Sequence, residues 1–295
     1  MFNTNRLLPL KPWRALLGSL VLVSLVGCSS FGLSIANLPA KLFKGKIHHD
    51  LVFDEQTELT LDVYQPRQAR TEQPLPVIVF YYGGRWSYGS KDEYAFVATA
   101  LAAKGFVVVV PDYRKYPKVR FPDFVTDSAK ALRWVYNTID QYHGNKQQLF
   151  IAGHSAGAHI GALLITDQSY LREQKLSTDI VTGFAGLAGP YAFTPTDPDL
   201  VDMFGPESTY PRMQVPTFVD GQQPPMLLMA GDDDTTVKMI NIERLVAAID
   251  EQGGQVQIKT YPGVDHIEMV GAFSKFWRGK APVLEDTTDF FNSLL

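Results

Sequence analysis

The sequence predicts an α/β fold, a mostly parallel central sheet of about eight strands with helices on both faces. Two observations predict it. Strand-like and helix-like stretches alternate along most of residues 47–295. Several strand-like stretches, Leu75–Tyr82 and Phe106–Val110 above all, are near-continuous apolar runs, which fit strands buried on both faces. The chain has 295 residues, 45% hydrophobic and 20% charged, an ordinary globular composition with length for one large domain or two small ones.

The first residues read differently. Arg6, Lys11 and Arg14 precede a short uncharged apolar stretch, Ala15–Val26. It is shorter than the roughly 20 residues a transmembrane helix needs. A basic region followed by such a stretch reads as a secretory signal over residues 1–27. Cys28 is the only cysteine, so a disulfide within the chain is excluded. Residues 28–46 read as a short tether with Lys41, Lys44 and Lys46 solvated.

In order, Ile47–Phe53 and Leu59–Tyr64 read as two short strands. The second alternates polar and apolar residues, as a half-exposed strand does. Leu75–Tyr82 is a buried strand that Gly83-Gly84 ends. Lys91–Lys104 is helical, with Gly105 as its cap. Phe106–Val110 is the next buried strand. Asp123–Ile139 is an amphipathic helix whose stripe is Phe124, Ala129, Leu132 and Val135. Leu149–Ala152 is a strand and Ala156–Thr166 a helix. Ile180–Leu187 and Pro225–Ala230 are strands, Val237–Gln252 a helix, Val256–Tyr261 the last strand, and Thr287–Leu294 a closing helix. Gly189–Gln223 breaks the alternation. It is long, weakly periodic and rich in proline and aromatic residues, as binding loops and lids are.

The chemistry centres on Gly153-His154-Ser155-Ala156-Gly157, set between a strand and a helix. A Gly-x-Ser-x-Gly turn in that setting exposes its serine as a nucleophile. A serine hydroxyl is weak near neutral pH and needs a base, which in turn needs an orienting acid. Of six histidines, His266 alone follows the last strand, at the carboxyl edge of the sheet where ligands bind in open α/β folds. His48 and His49 lie in early strands, His143 in a loop, and His159 on a helix facing core or solvent. An acid between serine and histidine is offered by Asp232, Asp233 or Asp234, which follow a buried strand. Gly83-Gly84 would let backbone N–H groups approach a developing oxyanion, and the N–H of Ala156 follows the nucleophile. The charge of −4, more acidic still without residues 1–27, argues against a nucleic-acid partner and against a polybasic membrane-binding surface. No zinc-like Cys/His spacing and no phosphate-binding loop is present, so neither a metal nor an organic cofactor is implied.

Together these motifs resemble the α/β-hydrolase superfamily, in the esterase and lipase branch related to hormone-sensitive lipase and the small carboxylesterases. The resemblance covers residues 47–295. The family's His-Gly-Gly-x-Trp segment corresponds to Tyr82-Gly83-Gly84-Arg85-Trp86, with Tyr82 in place of the usual His. Asp112-Tyr113-Arg114 and Gly231-Asp232-Asp233-Asp234-Thr235-Thr236-Val237 match two further segments, and the second register selects Asp234 as the acid. The resemblance implies a serine carboxylesterase for small or medium esters, with Ser155, Asp234 and His266 as triad. It places the oxyanion donors on Gly84, Arg85 and Ala156, and a small cap or substrate loops on residues 189–223. Tyr191, Phe193, Phe204, Tyr210 and Phe218 would line a pocket there or merely pack. The same machinery serves an amidase such as a formamidase, or a polysaccharide deacetylase, and fold does not choose among them. A non-catalytic binding lipoprotein is a further reading, but such relatives usually lack a triad member. Leu25-Val26-Gly27-Cys28 resembles the bacterial lipobox, which implies a lipidated Cys28 and a membrane partner. Ser29 resembles the sorting pattern for the outer membrane of Gram-negative cells, facing the periplasm.

Overall fold

A computed structural model describes residues 35–67 and 73–295. The expected signal segment and Cys28 lie outside the described residues. Eight strands form one sheet in the order β1-β2-β4-β3-β5-β6-β7-β8. They are β1 (Lys46–Asp54), β2 (Leu59–Gln65), β3 (Leu75–Tyr81), β4 (Val107–Pro111), β5 (Gly144–His154), β6 (Val181–Leu187), β7 (Met226–Gly231) and β8 (Val256–Tyr261). The β1–β2 and β2–β4 pairs are antiparallel and the other five parallel, so the expected sheet is present.

The helices are α1 (Ala95–Ala102), α2 (Asp123–Thr138), α3 (Ala156–Thr166), α4 (Gln168–Glu173), α5 (Pro198–Phe204), α6 (Ile240–Glu251), α7 (His266–Gly271) and α8 (Val283–Asn292). The chain steps one way from β3 to β4 and then back across β3 to β5 and onward. Right-handed crossovers then place α1 on one face and α2 and α3 on the other. In agreement, α8 packs beside α1, and α2 beside α3. The core sits where β3, β4 and β5 meet these helices, and the central runs Val77–Tyr81 and Val107–Val110 are fully buried.

Several expectations need correction. Asp62, on the strand expected to be half-exposed, is 0% exposed. Its carboxylate is satisfied by Lys91 Nζ at 2.8 Å, His49 Nδ1 at 2.7 Å and the Asp50 N–H at 3.0 Å. Burial alone would lower the pKa of Lys91, but its hydrogen bonds to Asp50 and Asp62 raise it instead. β5 is longer than its apolar centre because it begins with polar residues, Asn145–Gln148, that carry no period to read. Residues 189–223 contain α5 and two short 3₁₀ turns, Glu207–Met213 and Val215–Phe218, whose prolines mask any helical period. The segment expected to be a tether is, from Ile35 onward, packed on the domain through a buried Ala36 and a 3₁₀ turn at Leu38–Leu42. Lys41, Lys44 and Lys46 are exposed, as expected.

Candidate active site

Ser155 occupies the single residue between β5 and α3, with φ 53° and ψ −120°. A side chain held at such a backbone conformation costs on the order of 1–3 kcal/mol and persists only where its surroundings enforce it. The Ser155 N–H donates to the Leu187 carbonyl at 2.8 Å, which ties the turn to the end of β6. The flanking glycines allow close approach. A Cβ on Gly157 would lie 2.0 Å from the Tyr81 carbonyl oxygen, and one on Gly153 would lie 2.5 Å from that of Gly157.

The turn points Ser155 at His266. His266 Nε2 lies 2.9 Å from Ser155 Oγ, and its Nδ1 lies 2.7 Å from Asp234 Oδ2. A carboxylate only accepts, so the proton sits on Nδ1 and Nε2 is left to accept the serine hydroxyl. Asp234 Oδ1 accepts the N–H groups of Thr236 and Val237, both at 2.8 Å. Burial alone would raise the pKa of Asp234, but the His266 hydrogen bond and charge and these two N–H groups hold it below the usual value. Asp232 and Asp233 are exposed; Asp232 accepts from the Gly263 N–H at 2.6 Å and takes no part in the cluster. His266 is not in a loop but is the first residue of α7. Asp265 caps that helix, accepting from the N–H groups of Ile267 and Glu268, while Glu268 returns a bond to the Asp265 N–H.

His154 makes a contact that sequence reasoning missed. Its Nε2 lies 3.0 Å from the backbone carbonyl of His266, and its ring stands 4.8 Å from the His266 ring. A carbonyl only accepts, so Nε2 carries the proton. Burial, followed by the charge of His266, pushes the His154 pKa down to about 3. His154 is thus a neutral donor fixed to the main chain of the candidate base. No local signal marked it, because the contact joins residues 112 positions apart.

The Gly-Gly loop lies beside Ser155. Gly84, Arg85 and Trp86 all have positive φ, 133°, 52° and 55°. Among the described residues, the N–H groups of Gly84, Arg85 and Ala156 have no backbone or side-chain acceptor. Tyr82 braces this loop from behind. Its hydroxyl donates to Asp112 Oδ1 at 2.6 Å and accepts from Lys115 Nζ at 2.9 Å, while its carbonyl accepts from the Tyr113 hydroxyl at 2.9 Å. The Tyr82 ring stacks between Tyr113 and Tyr94, at 4.7 and 5.5 Å. Arg114 in turn pairs with buried Asp127 through two bonds of 2.8 Å.

Residues 189–223 close over the site. Arg85 pairs with Asp197 at 2.8 Å and Asp199 at 2.9 Å, and Arg120 pairs with Asp202 at 2.7 Å. His159, on the core side of α3, donates through Nε2 to the Met213 carbonyl at 2.8 Å. Trp86 stacks on Phe193 at 5.6 Å and meets Phe204 edge-on at 4.9 Å. Ser155 and His266 open into a cavity of about 330 Å³ whose apolar walls include Trp86, Phe193, Leu200 and Val237. Of the five aromatic residues expected to line a pocket, only Phe193 does so. Tyr191 and Phe204 are buried in packing, and Tyr210 and Phe218 lie partly buried against the core.

The chain matches the BD-FAE family over residues 61–188. It is 26% identical over 253 residues to a probable isoprenylcysteine alpha-carbonyl methylesterase of Oryza sativa, covering 77% of this chain and 59% of the rice protein. It is 29% identical over 242 residues to esterase LipC of Mycobacterium tuberculosis, covering 72% and 57%. Among solved structures, a Pyrobaculum calidifontis esterase superposes with a TM-score of 0.72 at 20% identity, covering 91% of each chain. A carbohydrate esterase from gut microbiota gives 0.70 at 20% identity, over 84% of this chain and 96% of its own. These comparisons support an α/β-hydrolase of the carboxylesterase and lipase family. The chain spans about three fifths of the length of the rice and mycobacterial relatives. In this α/β-hydrolase the BD-FAE match runs from β2 to the residue after β6. It therefore includes the Gly-Gly loop and Ser155 but stops short of Asp234 and His266. Those two residues lie outside the matched segment and are placed by the geometry above.

Proposed function

We propose that the protein is a serine carboxylesterase for small or medium esters. The observation that carries the reading is the continuous chain Ser155 Oγ, His266 Nε2, His266 Nδ1 and Asp234 Oδ2, at 2.9 and 2.7 Å, opening into a cavity. Ser155 Oγ attacks the ester carbonyl as its proton passes to His266 Nε2. Asp234 keeps the imidazole oriented and offsets its charge. The oxyanion is held by the N–H groups of Gly84, Arg85 and Ala156, which have no other acceptor among the described residues. His266 then protonates the departing alcohol, and a water activated by the same nitrogen releases the acyl group. At about 330 Å³ the cavity stands near the lower end of the ~300–1,000 Å³ range of ligand sites, which supports a small substrate. The rice and mycobacterial relatives are named for a methylesterase and an esterase, and what those names share is the carboxylic ester.

Cys28 following Leu25-Val26-Gly27 supports a lipid-anchored protein of the bacterial envelope. Hydrolysis of p-nitrophenyl acetate, butyrate and longer esters by the detergent-solubilised full chain, beside Ser155→Ala, tests the activity. The expected result is turnover that favours short acyl groups and falls by about 10⁴-fold or more in the variant. Equal rates in both proteins would refute the role of Ser155. An inert wild type that cleaves formamides would move the reading to the amide.

A further inference from the structure

The start of the described chain is pinned. The Ala36 carbonyl accepts from Ser274 Oγ at 3.1 Å. Asn37 Nδ2 donates to the carbonyls of Asp92 and Glu93 at 3.1 and 2.9 Å, and its Oδ1 accepts from the Phe96 N–H at 2.8 Å. The eight residue-to-residue steps from Ala36 back to Cys28 reach at most about 30 Å when fully extended. An anchor at Cys28 therefore holds one particular face of the domain near the membrane.

That face suits an anionic amphiphilic surface. A second cavity, of about 540 Å³, opens between the segment after Ala36, α1 and residues 273–278. Phe43, Phe96, Phe273 and Leu284 line it. Its charged residues are Lys44, Arg67, Lys104, Lys275 and Arg278, and no Asp or Glu joins them. Five cations thus share one patch of a chain whose net charge is −4. Lys104 lies 3.4 Å from Glu285, and among the described residues the other four have no carboxylate partner. Arg278 donates through Nη2 to the Phe273 carbonyl at 2.9 Å, but among the described residues its buried Nε has no acceptor. Beside the cavity, Leu42 and Phe276 are 74% and 59% exposed. Apolar side chains ringed by Lys and Arg are what binding in the plane of an anionic bilayer requires.

We propose that this face rests on the anionic phospholipid surface of the membrane, with Leu42 and Phe276 among the head groups and the cations on lipid phosphates. The inference rests on the reading of Cys28 as a lipid anchor. A second copy of the chain is a poor occupant, because a twofold contact would set the same cations against each other. The active-site cavity lies just past the same two segments. Glu93 and Tyr94 line it ahead of Phe96, and His266 and Ile267 line it ahead of Phe273.

Hydrogen exchange of the full chain tests the proposal in phosphatidylglycerol vesicles, in phosphatidylcholine vesicles and in detergent. Amides of residues 38–44 and 273–278 should exchange at least about tenfold more slowly with phosphatidylglycerol than in the other two settings. K275E/R278E should remove that protection while keeping wild-type hydrolysis of a soluble ester in detergent, which shows that it folds. Equal exchange in all three settings would overturn the proposal. If that equal exchange is uniformly slow, the chain's own N-terminal segment covers the cavity instead. The mass of the peptide carrying Cys28 reports the anchor separately, so a missing lipid refutes that reading without deciding the exchange result.

Discussion

The imidazole of His154 donates to the backbone carbonyl of His266 at 3.0 Å, so the residue beside the candidate nucleophile holds the main chain of the candidate base. The side chains of Ser155 and His266 meet across a long sequence separation, and this bond is a second, independent tie between the same two segments, the turn after β5 and the start of α7. His154→Phe keeps the ring volume and removes the donor. We expect kcat to fall about 10- to 100-fold with KM little changed, since a displacement of about 1 Å at a catalytic group can cost that much. His154→Gln, whose amide can donate, should recover part of the loss. An unchanged kcat in the Phe variant would show that the bond positions nothing.

Gly157→Ala should prevent folding. Its Cβ would stand 2.0 Å from the Tyr81 carbonyl and 2.5 Å from that of Tyr82, both backbone atoms at the end of β3 that cannot swing aside. We expect a loss above about 4 kcal/mol, visible as insoluble protein or a collapsed urea midpoint. A variant with the wild-type midpoint would mean that α3 does not approach β3 this closely.

The buried pair of Asp62 and Lys91 carries a separate prediction. Lys91→Met leaves Asp62 charged and 0% exposed with only His49 and the Asp50 N–H to satisfy it. That should cost about 3–5 kcal/mol in urea unfolding. Adding Asp62→Asn should return much of the loss, because the charge that lacked a partner is gone. A double variant no more stable than the single one would contradict the pairing.

Stability should also fall in mild acid. Burial pushes the His159 pKa down to about 4, against 6.5 for an exposed histidine. Between these values the unfolded chain binds a proton that the folded chain does not, so stability rises with pH across this window and is lost as pH falls through it. The difference amounts to roughly 3 kcal/mol from His159. Urea midpoints measured from pH 7 down to pH 4 should drop more steeply for the wild type than for His159→Gln. Parallel curves would show that His159 is not held neutral.

Much of this was legible in the sequence, for identifiable reasons. The strands β3 and β4 are apolar on both faces, and α3 and β8 match their expected limits, because nothing in these stretches competes with the local pattern. Ser155 and His266 could be named because they follow strands in a fixed order, and Asp234 because the register of the resembled family segment selects it; the structure brings the three together. Asp62 was misread because alternation looks the same whether a polar residue faces water or a buried lysine. The helix at Pro198–Phe204 was missed because it is short and lies among prolines. His154 stood inside the quoted motif, yet its partner is a carbonyl, and carbonyls carry no residue-specific signal.

The central claim is that Ser155 is a nucleophile activated by His266, and covalent labelling tests it most directly. A fluorophosphonate added to the folded full chain should leave one phosphonyl group on the Ser155 peptide, read by mass spectrometry. Ser155→Ala should take up none, and His266→Ala should react slower by about 10³-fold or more. Labelling of the wild type at another serine, or a His266→Ala variant that reacts at the wild-type rate, would contradict the account.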